Sequence, residues 1–403
     1  MGVIMRDGQD SGTVPDHYDT RTVGDPDGYD GALGGLKRRD FLKFCTGVAV
    51  TLGLGPGFGI RIADAATKAE RPPVIWLSGQ ACTGCTESLL RTQHPTLESL
   101  ILDHISLEYH ETLNAGAGHR AEQHKEHILD KYRGQYLLIV DGSIPTGEAE
   151  AYCMVAGRTQ RQSVEEAASG AAAIIATGSC ASWGGIPSAA PDPTNARPVN
   201  AVVKDKPVIT TPGCPANPYN LVSTVLHFLT FREFPEVDDK GRPVFAYGRL
   251  IHENCERRAH YDAGRFALEF GDEGHRKGYC LYKLGCKGPM TYANCPVIGF
   301  GDVAGEGAWP VGTGHPCFGC TEEGVGFFRP LHSLSDVENV EPPSAYPRVQ
   351  AEEGEGVTPG AAAVVAGVGG AALGAGAVMT SRLARSGKGD GGDDSAGDDN
   401  ARE

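Results

Sequence analysis

The chain has 403 residues, with 51 acidic against 36 basic side chains and a formal charge of −15, which excludes the basic surplus that a nucleic-acid partner selects. Much of the acid lies in two terminal runs, Asp7 to Asp30 and Asp390 to Glu403, that read as solvated tails. Twelve cysteines in a chain long enough to bury a core point to metal ligation rather than to a disulfide framework.

Residues 1–36 are polar and show no helical or strand period. Lys37-Arg38-Arg39-Asp40-Phe41-Leu42-Lys43 then leads into an uncharged run, Phe44 to Ile60, and the small residues Ala63-Asp64-Ala65. A basic region, an apolar run and a small-residue cleavage site together make an export leader, and the arginine pair before Phe-Leu-Lys marks it as twin-arginine type. The competing reading is a basic helix end ahead of a core helix. A leader of this type carries folded proteins, so thiolates can take up metal in the cytosol before crossing into an oxidising compartment. The polar extension and leader are expected over residues 1–65, with Cys45 inside the leader.

Residues 66–240 carry short apolar runs that each end in Gly, Pro or Cys. Val74-Ile75-Trp76-Leu77-Ser78 runs into Cys82-Thr83-Gly84-Cys85, with a helix expected from Ser88. Tyr136 to Val140 runs into Asp141-Gly142-Ser143. Ala172 to Thr177 runs into Gly178-Ser179-Cys180, and Pro207 to Thr211 into Pro212-Gly213-Cys214-Pro215. Such runs suit strands buried on both faces of a parallel sheet. Helical stretches at 121–132, 161–169 and 218–231 alternate with them, which indicates an α/β fold. Ligands in open α/β sheets sit outside the carboxyl ends of the strands, so Cys82, Cys85, Cys180 and Cys214 are expected to converge. Four thiolates at one point can hold a [4Fe–4S] cluster or a zinc ion. Cys153 has no cysteine neighbour and reads as a lone buried thiol.

Residues 241–335 are poor in regular period and rich in Gly, Pro and Cys. The ligand candidates are His252 with Cys255, then Cys280 and Cys286, then Cys295, then His315 with Cys317 and Cys320. Set Cys45 and Cys153 aside, and ten cysteines remain. Cys255, Cys280, Cys286 and His252 make a second four-ligand set. Cys295, Cys317 and Cys320 make a third with three thiolates, suited to a cluster lacking one iron; a zinc ion there requires a fourth ligand, Asp302 or His315. Spacing alone does not choose between His252 and His315. A region with so little apolar periodicity draws folding free energy from what it binds.

Residues 336–358 read as a linker. A stretch without charges follows, with a transmembrane helix expected over 359–381 and Arg382, Arg385 and Lys388 at its cytoplasmic end. A flexible Ala/Gly linker is the competing reading, since Leu, Ile and Phe are nearly absent. Residues 382–403 form an acidic tail.

Several motifs in one order resemble the small subunit of membrane-associated [NiFe] hydrogenases: Cys-Thr-Gly-Cys-Thr-Glu-Ser at 82–88, Gly-Ser-Cys-Ala-Ser-Trp-Gly-Gly at 178–185, Pro-Gly-Cys-Pro-Ala-Asn-Pro at 212–218, His-Glu-Asn-Cys at 252–255, Trp-Pro-Val-Gly at 309–312 and Gly-His-Pro-Cys-Phe-Gly-Cys at 314–320. The resemblance implies a flavodoxin-like domain followed by a small, irregular cluster domain and a C-terminal anchor. It implies a proximal [4Fe–4S] cluster on Cys82, Cys85, Cys180 and Cys214, and a distal [4Fe–4S] cluster on His252, Cys255, Cys280 and Cys286. A medial [3Fe–4S] cluster on Cys295, Cys317 and Cys320 completes the relay, with Pro310 where a fourth cysteine would otherwise sit. Gly84 and Gly185 stand where the oxygen-tolerant branch carries two extra cysteines, so inhibition by oxygen is expected. The implied partners are a large subunit holding the Ni–Fe centre, a membrane cytochrome b that reduces quinone, and the twin-arginine translocon, which would place the protein on the extracytoplasmic face of the cell membrane. Glu87 is a candidate for proton transfer at the subunit junction, and equally an ordinary carboxylate in a helix's first turn. Two other readings compete: an exported zinc or disulfide-rich binding protein, and a single-cluster subunit of a related respiratory complex.

Overall fold

The computed structural model describes residues 38–347, apart from 53, 56, 69–70, 94–96, 98–99, 102–104, 301–307 and 339–340. The polar extension, the segment expected to span a membrane and the acidic tail lie outside the described residues. Among the described residues no helix is long and apolar enough to cross a membrane.

Two helices, α1 (Arg38–Thr51) and α2 (Phe58–Lys68), open the described chain. Five parallel strands follow: β1 (Pro73–Ser78), β2 (Ser106–His110), β3 (Leu137–Asp141), β4 (Ala173–Thr177) and β5 (Val208–Thr211). Their spatial order is β2-β1-β3-β4-β5, a doubly wound sheet of the flavodoxin type. All of β3 and β4 is buried, which is why their sequences are continuous apolar runs rather than alternating ones. The edge strand β2 was not anticipated: Ser106-Leu107-Glu108-Tyr109-His110 is half polar, because only part of it is covered.

Period-two packing divides the core. Trp76, Ile139, Ile175 and Ile209 face one layer, while Ile75, Leu77, Leu138, Val140 and Ile174 face the other. The layers are supplied by α3 (Gly84–Leu90), α4 (His119–Lys131), α5 (Gln160–Gly170), α6 (Gly178–Trp183) and α7 (Pro218–Phe231). α5 starts on a capping box between Thr159 and Gln162, and α7 on the Asn217 side chain with Pro218 in its first turn. The helix expected from Ser88 begins four residues earlier, at Gly84, so Cys85 lies on a helix rather than in a loop.

The described part of the expected leader, from residue 38, lies in a packed hairpin of α1 and α2. Cys45, Val48, Ala49 and Ile62 share one apolar layer with Val74, Trp76 and several residues of α7. The Arg61 guanidinium lies 5.0 Å from the Phe58 ring centroid and 5.8 Å from that of Phe231. Ala63 is buried within α2, so the cleavage site expected from the sequence stands inside a helix.

Beyond Val244 the regular elements are short: α8 (Val244–Tyr247), α9 (Ile251–Asn254), α10 (Arg258–Asp262), α11 (Glu273–Arg276) and two single three-ten turns at Leu281–Leu284 and Gly288–Met290. Their core has its own apolar cluster, in which Tyr247, Ile251, Leu281, Trp309 and Val311 pack among Cys255, Cys286, Cys295 and Cys317. This part is bonded directly to the sheet domain. Gly241 O accepts from Thr210 N of β5 at 2.9 Å, Tyr247 Oη donates to Pro212 O at 2.8 Å, and the Asn220 and Asn294 amides pair at 2.8 and 3.0 Å. Arg242 bonds Asp238 at 2.7 Å and Glu322 at 2.8 Å.

Candidate metal centres

The carboxyl ends of four strands lie at one level, because Ser78 is in register with Asp141, Asp141 with Thr177, and Thr177 with Thr211. The segments that follow β1, β4 and β5 therefore emerge together and carry Cys82, Cys85, Cys180 and Cys214. Thr83, which precedes α3, has φ 67°, a left-handed conformation that costs a threonine about 1 kcal/mol or more. Glycines leave room for the sulfurs. A Cβ on Gly178 would stand 2.5 Å from Cys85 Sγ, and one on Gly185 2.6 Å from Cys180 Sγ, at φ values of 82° and 55°. A Cβ on Gly84 would stand 3.1 Å from Cys82 Sγ.

Burial pushes the Cys180 and Cys214 thiols up to about 12, and the neighbouring Cys82 adds to this in both. Cys85 is raised for the same reason, with Asp141 next in importance. Such thiols keep their protons unless a cation is among them; a bound metal's charge reverses the balance. Asp141, buried at the end of β3 in contact with Cys85, is itself pushed to about 6 by burial, and its Oδ2 has no hydrogen-bond partner. Glu87 is exposed in the first turn of α3.

The second set surrounds one cavity lined by His252, Cys255, Cys280 and Cys286 together with Arg257 and Tyr282. His252 is 5% exposed, and its Nε2 has no hydrogen-bond partner. Burial, and then Arg258, lowers its pKa to about 4, so the imidazole is neutral near pH 7. The Tyr261 ring meets it edge-on at 4.5 Å. Arg257 N donates to Cys255 Sγ at 3.4 Å, and its guanidinium is held by Val311 O at 3.0 Å and Tyr279 O at 2.9 Å.

Cys295, Cys317 and Cys320 line a third cavity of about 330 Å³, along with Trp309 and Pro310. Pro310 contributes wall and no ligand atom. Cys214 of the first set also reaches this cavity, and Ser179 Oγ, beside Cys180, donates to Cys320 O. His315 is exposed, with Nδ1 2.8 Å from Pro316 O, whereas His252 faces its thiols. Asp302 lies outside the described residues. Cys153 is half-buried, not buried as expected, because it follows an exposed three-ten turn; Cys45 is fully buried between the hairpin and the sheet domain.

No group of three or more His, Cys, Asp or Glu among the described residues is arranged to hold a single metal ion. The second and third thiol sets stand around cavities, and the cavity of the second carries an orphaned imidazole nitrogen. Thiols, alone or with one imidazole, are donors that an iron–sulfur cluster takes. Several buried charged residues escaped sequence reading, among them Asp141, Arg257 and Lys287. Nothing in their spacing separates them from surface residues, and only packing identifies them.

Residues 82–228 match the family described as NADH ubiquinone oxidoreductase, 20 Kd subunit, and residues 247–331 the family described as the C-terminal part of the NiFe/NiFeSe hydrogenase small subunit. The chain is 54% identical to the hydrogenase-2 small chain of Escherichia coli K12 over 359 residues, covering 89% of this chain and 96% of that protein. It is 51% identical to the quinone-reactive Ni/Fe-hydrogenase small chain of Wolinella succinogenes over 72% of this chain and 81% of that one. Among solved structures, a [NiFeSe] hydrogenase of Desulfomicrobium baculatum superposes with TM-score 0.61 at 34% identity, covering 66% of this chain and all of that chain.

Proposed function

The chain belongs to the small-subunit family of [NiFe] hydrogenases, and from that membership we propose that its three thiol sets hold three iron–sulfur clusters on the path between H₂ and an acceptor. It is the electron-transfer subunit of a hydrogenase whose Ni–Fe active site lies in the large subunit. A proximal [4Fe–4S] cluster is assigned to Cys82, Cys85, Cys180 and Cys214, a medial [3Fe–4S] cluster to Cys295, Cys317 and Cys320, and a distal [4Fe–4S] cluster to His252, Cys255, Cys280 and Cys286. The carrying observation is the unpartnered Nε2 of neutral, buried His252 among three buried thiols. Bound there, the clusters supply one-electron transfer.

The protein's own residues set the conditions for that transfer. A neutral imidazole in place of a thiolate makes the distal site less negative and raises its potential above an all-thiolate equivalent. Pro310 withholds a fourth ligand from the medial site. Burial of Cys255, Cys280, Cys286, Cys295 and Cys317 excludes water from the distal site and most of the medial one. Glu87, exposed beside the proximal set, is the residue to which we assign proton exchange with the large subunit, an ordinary first-turn carboxylate being the equal alternative. Gly84 and Gly185 offer no additional thiols, which fits an oxygen-sensitive enzyme. Uptake of H₂ toward quinone through a membrane cytochrome b, twin-arginine export, an extracytoplasmic location and an anchor at 359–381 complete the reading. The domain division at 66–240 and 241–335 belongs to the same proposal. A single-cluster respiratory protein is the weaker alternative, since residues 247–331 match a hydrogenase-specific family.

The test is metal and sulfide analysis of the heterodimer purified without air, with electron paramagnetic resonance. About eleven irons per small subunit and an oxidised three-iron signal are expected. A colourless protein containing zinc overturns the cluster assignment.

A further inference from the structure

We infer that Lys287 is a positioning residue for electron transfer: its buried ammonium, on the residue that links the second and third thiol sets, raises the reduction potentials of the groups bound at both. This rests on the cluster assignment above. Lys287 follows Cys286 directly, and its backbone N donates to Cys317 O at 2.6 Å, so one residue joins a thiol segment of each set. The residue is 0% exposed. Its Nζ is caged by oxygens: Gly285 O at 2.9 Å, Leu331 O at 3.2 Å, Ser333 O, and Ser333 Oγ at 3.4 Å. Among the described residues no carboxylate belongs to this cage.

The cage identifies the charge state. A neutral amine has two N–H donors and a lone pair that would be repelled by carbonyl oxygens; the ammonium has three donors and no lone pair. Three backbone carbonyls therefore select the cation. Carbonyls solvate the charge without neutralising it, unlike the Arg242 cation, which is paired with Asp238 and Glu322. An unneutralised cation away from water acts at lower dielectric, so its field persists over several ångströms. Burial lowers the Lys287 pKa from its ordinary value; the Cys286 and Cys317 thiols favour the cation and Arg329 opposes it. A fixed positive charge favours the more negative, reduced form of a neighbouring redox group and so raises its potential. A simple tether of the 331–333 segment would require the hydrogen bonds but not the charge.

Potentiometric titration of the intact heterodimer, followed by electron paramagnetic resonance, separates the two roles. Lys287→Gln is expected to lower the midpoint potentials of both the three-iron and the distal signal, the distal one more, because Lys287 adjoins Cys286. Lys287→Arg keeps the charge and leaves both near the wild-type values. Ser333→Asp, at a half-buried position, sets a carboxylate against the ammonium without removing it, and is expected to lower both potentials as well. Unchanged potentials in Lys287→Gln, or in Ser333→Asp should Lys287→Gln not assemble, overturn the proposal and leave a structural tether. Wild-type protein lacking these signals would overturn the cluster assignment itself, a distinct outcome.

Discussion

His110 ends β2 fully buried, its ring stacked on Trp76 at 5.1 Å. Thr112 N donates to its Nδ1 at 3.1 Å, so Nε2 carries the proton and meets Thr86 Oγ1 at 3.3 Å. Burial pulls its pKa from 6.5 to about 4. The unfolded chain then takes up a proton as pH falls below 6.5, while the native chain refuses it until pH reaches about 4. The stabilisation by neutral His110 is complete above the unfolded value and is lost as pH falls toward the folded one. Between pH 7 and pH 5 this amounts to on the order of 1–2 kcal/mol. His110→Asn removes the titration. The variant is expected to show a smaller acceleration of thermal bleaching between pH 7 and pH 5 than the wild type, by about 5- to 30-fold. Equal ratios would show that His110 does not carry the dependence. None of this was visible in the sequence, where His110 lies in a half-polar stretch that carried no strand signal. Cys82, Cys85, Cys180 and Cys214 were legible because each follows an apolar run at a Gly or Pro, a local pattern.

At the scale of elements, the joint between the sheet and the cysteine-rich part depends on Arg242. Its guanidinium is nearly inaccessible, bonds Thr321 O at 3.1 Å and pairs with Glu322, whose side chain is also largely buried. Salt-bridge partners hold the Arg242 pKa above its ordinary value against the opposing effect of burial. Arg242→Met leaves the Glu322 carboxylate with Lys240 as its remaining ionic partner, and breaking a buried pair in this way costs about 3 kcal/mol. Because Glu322 follows Cys320 by two residues, the three-iron signal is expected to be lost on heating at lower temperature than in the wild type, ahead of the proximal signal. Simultaneous loss at the wild-type temperature would show that the joint does not rest on this pair. Composition suggests a boundary near Asp238, but the Arg242–Glu322 clamp could not be read from it. Arg242 and Glu322 are 80 residues apart, and no local period links them.

For the whole molecule, the prediction concerns residues beyond the described fold. Truncation after Pro347 removes the uncharged stretch and the acidic tail but none of the thiol sets. The truncated heterodimer is expected to leave the membrane fraction while retaining H₂-dependent dye reduction. Sedimentation with membranes would contradict the anchor at 359–381. At the other end, α1 and α2 cover part of α7, so a chain processed at Ala63–Ala65 needs another surface to cover those aromatic residues.

By itself the sequence determined four of the five strand runs and the parallel α/β class, because burial on both faces and Gly-bounded loop entry are local properties of the chain. The structure alone decided where the edge strand lies and which charges are buried. Those outcomes depend on desolvation and on contacts between residues far apart in the chain, and a list of residues does not contain the distances that control either.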